Sequence, residues 1–264
     1  MTSPARLLRR VNWLGLGTLG LLAALWEAAV RSGAVAYQFL PAPSAIAGSA
    51  GDLVASGEMG AAVLHTLQVT LLGWALAAAL GIGLGLLLGL SPTAWRYSMA
   101  SIEVVRAIPP VSLVPVALLA FGFSIRMELT IIFFVSAWPV LVNTIGGVRG
   151  VRSELLDVAR MLRMSRATRI AKVVLPAAMP AILVGLRLAL SLSLVLAVVA
   201  EMIGNPHGLG NALMSAQQAL QPEQMFAYVL AIGVLGIGLN AVVALAAARL
   251  VPSASARRPE GGRR

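Results

Sequence analysis

From Thr66 to Leu90 the chain carries no charged residue. A helix needs about 20 mostly apolar residues to cross the hydrocarbon of a bilayer, so this stretch alone nearly dictates a membrane span. Five further stretches read the same way: about 11–31, 97–122 (with Glu103 and Arg106 inside it), 128–148 (opening at Glu128), 175–203 (holding Arg187 and ending near Glu201) and 225–249. Only 11% of the 264 residues are charged and 59% are hydrophobic. A soluble domain carries about 25% charged residues, so this chain has too few to coat a globule. The expectation is an all-α integral membrane protein with six transmembrane helices. The formal net charge of +10 could point to nucleic acid, but the apolar fraction excludes that partner.

The cations set the orientation, because arginine-rich loops stay in the cytoplasm. With the N-terminus inside, inner segments hold Arg6, Arg9, Arg10, Arg96, Arg149, Arg152, Arg160, Arg163, Arg166, Arg169, Lys172, Arg249, Arg257, Arg258, Arg263 and Arg264. Outer segments hold only Arg31 and Arg126. Both termini are therefore expected in the cytoplasm, and the basic patches are mainly topology signals that also suit anionic lipid. The N-terminal arginines, the apolar run and Ala34-Val35-Ala36 imitate a signal peptide, but Glu27 and Arg31 intervene, and we read an uncut first span.

The segment 149–174 holds seven cations and two acids, yet keeps helical apolar spacing. Leu155, Val158, Ala159 and Leu162 recur at three and four residues, one face of a short amphipathic helix. Ser153, Glu154 and Asp157 suit its start, since carboxylates favour the positive end of the helix dipole. Arg160 and Arg163 follow, and a second short helix is expected over about 166–173, before Leu175-Pro176. The helix either lies on the membrane or presents apolar residues beside fixed charges to a partner's groove.

Asp157-Val158-Ala159, with Leu175-Pro176 further on, resembles the EAA loop of the permease subunits of ATP-binding-cassette importers. The family's turn glycine falls on Arg163. An arginine in the left-handed conformation glycine adopts there costs on the order of 1 kcal/mol, so a turn shifted onto Met164 or Ser165 is expected. The resemblance extends to Leu40-Pro41-Ala42-Pro43-Ser44, His65-Thr66-Leu67, Gly81 to Ser91, Arg106 to Pro115, Asn143-Thr144, Gly147-Val148-Arg149, Gly185-Leu186-Arg187, Ala200-Glu201 and Gly208-Leu209-Gly210. The branch resembled is the nitrate/sulfonate/taurine type, in which Asn240 replaces a usual aspartate.

The resemblance implies a type I importer fold with a cytoplasmic coupling helix between spans four and five. It implies a homodimer of permeases in the bilayer of the bacterial cytoplasmic membrane, two ATPase subunits that carry ATP and magnesium, and an extracytoplasmic solute-binding protein. Residues 1–10 are then a basic cytoplasmic N-terminus, 11–65 the first span and outer loop, 66–252 the five-span core, and 253–264 a basic tail. The residues expected to couple to the ATPase are Glu154, Leu155, Leu156, Asp157, Val158, Ala159, Arg160, Leu162, Arg163 and Ser165. No cofactor is expected on this chain. A phosphate loop needs Gly-Lys followed by Ser or Thr, and the only lysine, Lys172, lies between Ala171 and Val173.

Charges inside spans are costly and mark candidate pathways. Arg106 and Arg187 either attract an anion or are structural, Arg106 pairing with Glu103 one turn away and Arg187 snorkelling or bonding free carbonyls near the prolines; we favour the structural reading. Glu201 is a gate or an interfacial residue. Pro109, Pro110 and Pro115 break the ladder of span three, as interrupted helices lining cavities do, and Trp138 beside Pro139 and Asn143 join the candidate pathway. Gly81, Gly85 and Gly89 form a close-packing stripe. His65 is expected to cap a helix or sit among headgroups, and His207 by itself makes no metal site. Residues 204–224 are expected to contain a short helix facing the binding protein, with Gln217 and Gln218 on it. A gradient-driven transporter would want embedded acids in spans two and six, where none lies, and an enzyme would want a catalytic cluster that the spans lack.

Overall fold

A computed structural model describes residues 13–34 and 37–250. The basic N-terminus (1–10), Val35-Ala36 and the basic tail (253–264) lie outside the described residues. The fold is all-helical: α1 Trp13–Arg31, α2 Pro43–Ala55, α3 Glu58–Leu90, α4 Pro92–Arg106, α5 Val114–Phe121, α6 Ile125–Arg149, α7 Ser153–Met161, α8 Arg166–Gly204, α9 Gly208–Gln218 and α10 Pro222–Leu250. Among the described residues α3, α6, α8 and α10 are each long and apolar enough to cross a membrane, and α4 with the pair Pro110–Phe121 would make a fifth crossing. Helix α1 stands where the first span was expected.

Span three, expected over 97–122 with its ladder broken by prolines, is an interrupted helix. Its two halves meet at 78°. Pro109 and Pro110 cause the break, because neither offers an N–H and each disfavours helical backbone in the residue before it. Pro109 is accordingly extended (φ −62°, ψ 121°). Pro115 does not break the ladder; it sits in the first turn of α5, where no N–H partner is needed. A second difference concerns 166–173, expected as a separate helix. The chain there runs without interruption into α8 through one π-type turn, Ile170–Val174.

The described residues form two compact units, those up to 59 with 213–230, and 60–212 with those from 231 onward. In the first, the Glu27 carboxylate accepts from the Ser44 N–H at 2.9 Å and its hydroxyl at 2.7 Å. This ties the proline-rich segment to α1 just where Pro43 starts α2. Trp26 meets Phe226 edge-on at 6.1 Å.

The second unit is built on α3, α6 and α8. Methyl groups placed on Gly81, Gly85 and Gly89 would lie 2.8, 2.5 and 2.8 Å from the Cβ atoms of Val140, Thr144 and Val148. The glycine stripe thus seats α3 against α6, and because the partners ascend together, the two helices run parallel. Helix α8 returns antiparallel: Gly147 abuts Ala178 and Ala181, and Gly185 abuts Pro139 and Asn143. Ser136 and Ser193 share a buried 2.7 Å hydrogen bond between these helices, and the Trp74 indole donates to the Leu186 carbonyl at 2.9 Å. Small residues bring the backbones close enough for dispersion to replace the hydrophobic drive that lipid cannot supply. Arg149 ends α6 with its guanidinium 3.8 Å over the Trp95 ring.

Candidate coupling face, cavity and polar cluster

Helix α7 turns two sides of itself to different neighbours. Ala159 is buried, and Leu156 packs with Val148, Val174, Ala178 and Ile182, a cluster belonging to α6 and α8. Leu155, Val158 and Leu162 remain 45%, 51% and 63% exposed. The expected single face is therefore split, since Ala159 points inward and its three companions do not. Met161, which spacing did not single out, is 80% exposed beside them. Asp157 receives Arg160 at 2.6 Å, and Glu154 receives Arg152 at 3.4 Å. Ser153 does not cap the helix: Arg152 holds the cap position, without a side-chain bond.

The turn after α7 does not shift. Arg163 itself takes the left-handed conformation, with φ 49°. Its N–H bonds to the Arg160 carbonyl at 2.9 Å, and the Met164 N–H reaches back to Ala159 at 3.1 Å. This pair of bonds is the Schellman closure that a glycine ordinarily completes, formed here despite the side chain. Ser165 then caps α8, its hydroxyl accepting from the Thr168 N–H at 3.2 Å.

Several sequence-selected pathway residues meet around a cavity of about 420 Å³ lined by Arg106, Pro110, Trp138, Pro139 and Asn143 among others. The structural reading of Arg106 also holds, since its guanidinium donates to Glu103 at 2.7 Å. Phe134 packs edge-on against Trp138 at 5.6 Å. Asn143 donates to the Pro139 carbonyl at 2.8 Å. Arg187 does not line this cavity and does not reach free carbonyls. Its Nε donates to Asn240 Oδ1 at 2.8 Å, a neutral acceptor facing the arginine.

At the end of the unit remote from α7, a buried polar cluster corrects two expectations. Glu201 is not interfacial; it is 1% exposed, and its Oε2 accepts from Thr66 at 3.0 Å and from the Gly210 N–H at 2.9 Å. His65, expected as a cap or among headgroups, reaches into the protein: its Nε2 lies 3.3 Å from a carboxylate oxygen of the fully buried Glu128. His207 stacks near it, ring centres 5.6 Å apart. Sequence reasoning missed this grouping because His65 and Glu128 stand 63 positions apart on helices whose pairing no local pattern reveals. Glu201 was not brought together with Arg106 or Trp138; it belongs to this second site.

A helical permease-like bundle with a short amphipathic helix set between two spans defines a class of membrane transport subunit, and comparison places the chain within it. Residues 81–256 match the family described as the binding-protein-dependent transport system inner membrane component, and the chain belongs to that family. A Bacillus subtilis (strain 168) protein named as an aliphatic sulfonates transport permease is 33% identical over 229 residues, 86% of this chain and 83% of the relative. The nitrate import permease protein of Leptolyngbya laminosa is 34% identical, covering 72% of this chain and 68% of its own length. A bicarbonate transport system permease protein of Synechococcus elongatus is 36% identical over 65% of this chain and 62% of its own. The chain is thus similar to permeases named for sulfonate, nitrate and bicarbonate transport. Among solved structures, an amino acid transporter of the ATP-binding-cassette class superposes with a TM-score of 0.62 at 19% identity, covering 75% of this chain and 97% of that one. The MetNI methionine transporter in an inward-facing form gives 0.57 at 16% identity, covering 70% and 94%. At these identities the likeness is one of fold.

Proposed function

We propose that this chain is the membrane-spanning subunit of an ATP-driven importer for a small anion of the nitrate, alkanesulfonate or taurine kind. It works as a six-span subunit in the bacterial cytoplasmic membrane, termini inside, paired with a second copy. Two ATPase subunits, which hold ATP and magnesium, seat on α7, and an extracytoplasmic binding protein delivers the solute. The parallel course of α3 and α6 supports the span count. Two consecutive spans can run parallel only if the chain between them recrosses, and that chain is the bent α4–α5 pair.

The observation that carries the proposal is the face of α7. Leu155, Val158, Met161 and Leu162 stay exposed beside paired charges, while Leu156 fastens the helix to α6 and α8 and Ala159 is buried. An exposed apolar stripe on a helix anchored from behind is what a partner's groove requires. The anionic solute rests on the relatives' names and on Arg187, whose charge faces a neutral partner, whereas that of Arg106 is paired with Glu103. Glu128 and Glu201 supply embedded acids that a gradient-driven carrier could use, but family membership and the α7 face favour ATP.

The test is reconstitution with the co-purified ATPase subunits. Val158→Asp and Asp157→Arg should each reduce solute uptake more than tenfold while leaving the permease's melting temperature within about 2 °C, because both side chains are exposed. Normal uptake in both variants overturns the docking role.

A further inference from the structure

The buried polar cluster remote from α7 lies outside the coupling face and the cavity, and neither needs it. Its chemistry is specific. His65, Glu128 and Glu201 each offer a ligand atom, and these atoms all lie within 4.8 Å of one another. They come from three helices, α3, α6 and α8. Both carboxyl groups are essentially inaccessible. Among the described residues no arginine or lysine pairs with either of them.

The hydrogen-bond pattern orients the atoms. Asn205 Oδ1 accepts from the His207 N–H at 3.0 Å, which leaves the amide nitrogen of Asn205 facing His65 Nε2 at 3.4 Å. Nε2 also lies 3.3 and 3.5 Å from the two Glu128 oxygens, and a neutral imidazole can turn a ring-nitrogen lone pair to a metal. Those distances are long for a charge-assisted hydrogen bond, which runs at about 2.7–2.9 Å. They match the edge of a tetrahedron whose metal–ligand bonds are about 2.0–2.1 Å, roughly 3.3 Å. Glu201 commits Oε2 to Thr66 and Gly210, while its buried Oε1 has no hydrogen-bond partner among the described residues. Acceptors therefore converge from three directions on one small volume.

We propose that His65, Glu128 and Glu201 form a binding site for a divalent transition-metal ion of the zinc type, clamping α3, α6 and α8 at the end of the bundle opposite α7. The imidazole argues against magnesium and calcium, which take oxygen ligands. The chain has no cysteine, which argues against soft thiophilic ions. A neighbouring cavity of about 360 Å³, lined by Phe123, Glu201, Asn205 and Asn211 among others, gives an ion a route to Glu201. The clamp is independent of the solute carried and of the ATPase contact.

The test uses the full chain in detergent with any subunits that accompany it, purified through an affinity tag free of histidine. Zinc is measured by mass spectrometry as purified, and again after chelation, reloading with zinc chloride and dialysis. The expected result is about one zinc per permease chain, a melting temperature several degrees higher with zinc than without, and a visible absorption band of tetrahedral type when cobalt(II) is loaded instead. His65→Gln and Glu128→Gln should lose the bound zinc and the thermal shift, and His207→Gln should keep both. Fewer than about one zinc per ten chains in the reloaded wild type overturns the site, whatever the variants do. Zinc retained at full stoichiometry in a folded His65→Gln variant overturns it equally, since the ion would then sit elsewhere.

Discussion

Gly83 and Gly85 stand two residues apart on α3 and face opposite surroundings, so the same substitution at each should move stability in opposite directions. A methyl group at Gly83 meets nothing within 4 Å. Replacing glycine by alanine there removes backbone freedom from the unfolded chain, a gain of up to about 1 kcal/mol. At Gly85 the methyl carbon would lie 2.5 Å from Thr144 Cβ and 3.2 Å from the Leu141 carbonyl. The first distance is nearly an ångström inside ordinary carbon contact of about 3.5 Å. Both obstacles belong to the body of α6, and no flexible side-chain end can swing away. Helix α3 must back off, which loses packing on either side, and overpacking of this kind costs about 1–3 kcal/mol. The helix-propensity gain is common to both variants, so the gap between them should be about 1–3 kcal/mol. For a chain of this size that is about 2–12 °C in melting temperature. Thermal unfolding of Gly83→Ala and Gly85→Ala in the same detergent measures it directly. Equal melting temperatures, or Gly85→Ala the more stable, would refute the parallel seating of α3 on α6.

Three further outcomes follow from single contacts. Arg163→Gly relieves the left-handed strain at φ 49° by about 1 kcal/mol, and it should slow exchange of the Met164 amide, read by hydrogen–deuterium mass spectrometry; faster exchange would mean the turn is not closed as described. Trp74→Phe deprives the Leu186 carbonyl of its indole donor and should lower stability by about 1 kcal/mol, against no change if that bond is idle. Arg187→Gln keeps a donor for Asn240 but removes the charge, so uptake of an anionic solute should weaken, with an unchanged apparent affinity counting against Arg187 as the attracting charge.

The long apolar runs were legible because membrane spanning leaves its mark on composition alone, and α3, α6, α8 and α10 stand close to where the runs lie. The glycine stripe was legible as close packing, yet nothing in it named α6 as the partner. Helix α7 could be read from its period, but period assigns a stripe and not a depth. Which of Leu155, Leu156, Val158 and Ala159 turned inward depended on Val174 and Ile182, residues of the next element. The left-handed turn illustrates a local rule overruled by its surroundings. Arginine disfavours that backbone, but the Schellman bonds to Ala159 and Arg160 together with the cap at Ser165 hold it. The polar cluster was least legible of all, since His65, Glu128 and Glu201 carry no common spacing and each alone reads as an interfacial residue.

The packing also bears on how a load applied at α7 would travel. Leu156 does not rest on a loop; it is seated among Val148 at the end of α6 and Val174, Ala178 and Ile182 near the start of α8. From there α6 and α8 are held together by Gly147 against Ala178, Gly185 against Pro139 and the Ser136–Ser193 bond, spaced along most of their common length. Interiors packed this closely deform little, so the pair moves as one body and α3 moves with it through the glycine stripe. The bent α4–α5 segment is the contrasting element. Its halves are joined through a proline break that carries no continuous helical ladder, and it borders the cavity that holds Arg106 and Pro110. A push on α7 is therefore resisted within α3, α6 and α8 and yielded to at Pro109-Pro110, which makes the cavity wall on that side the part of the unit whose shape responds.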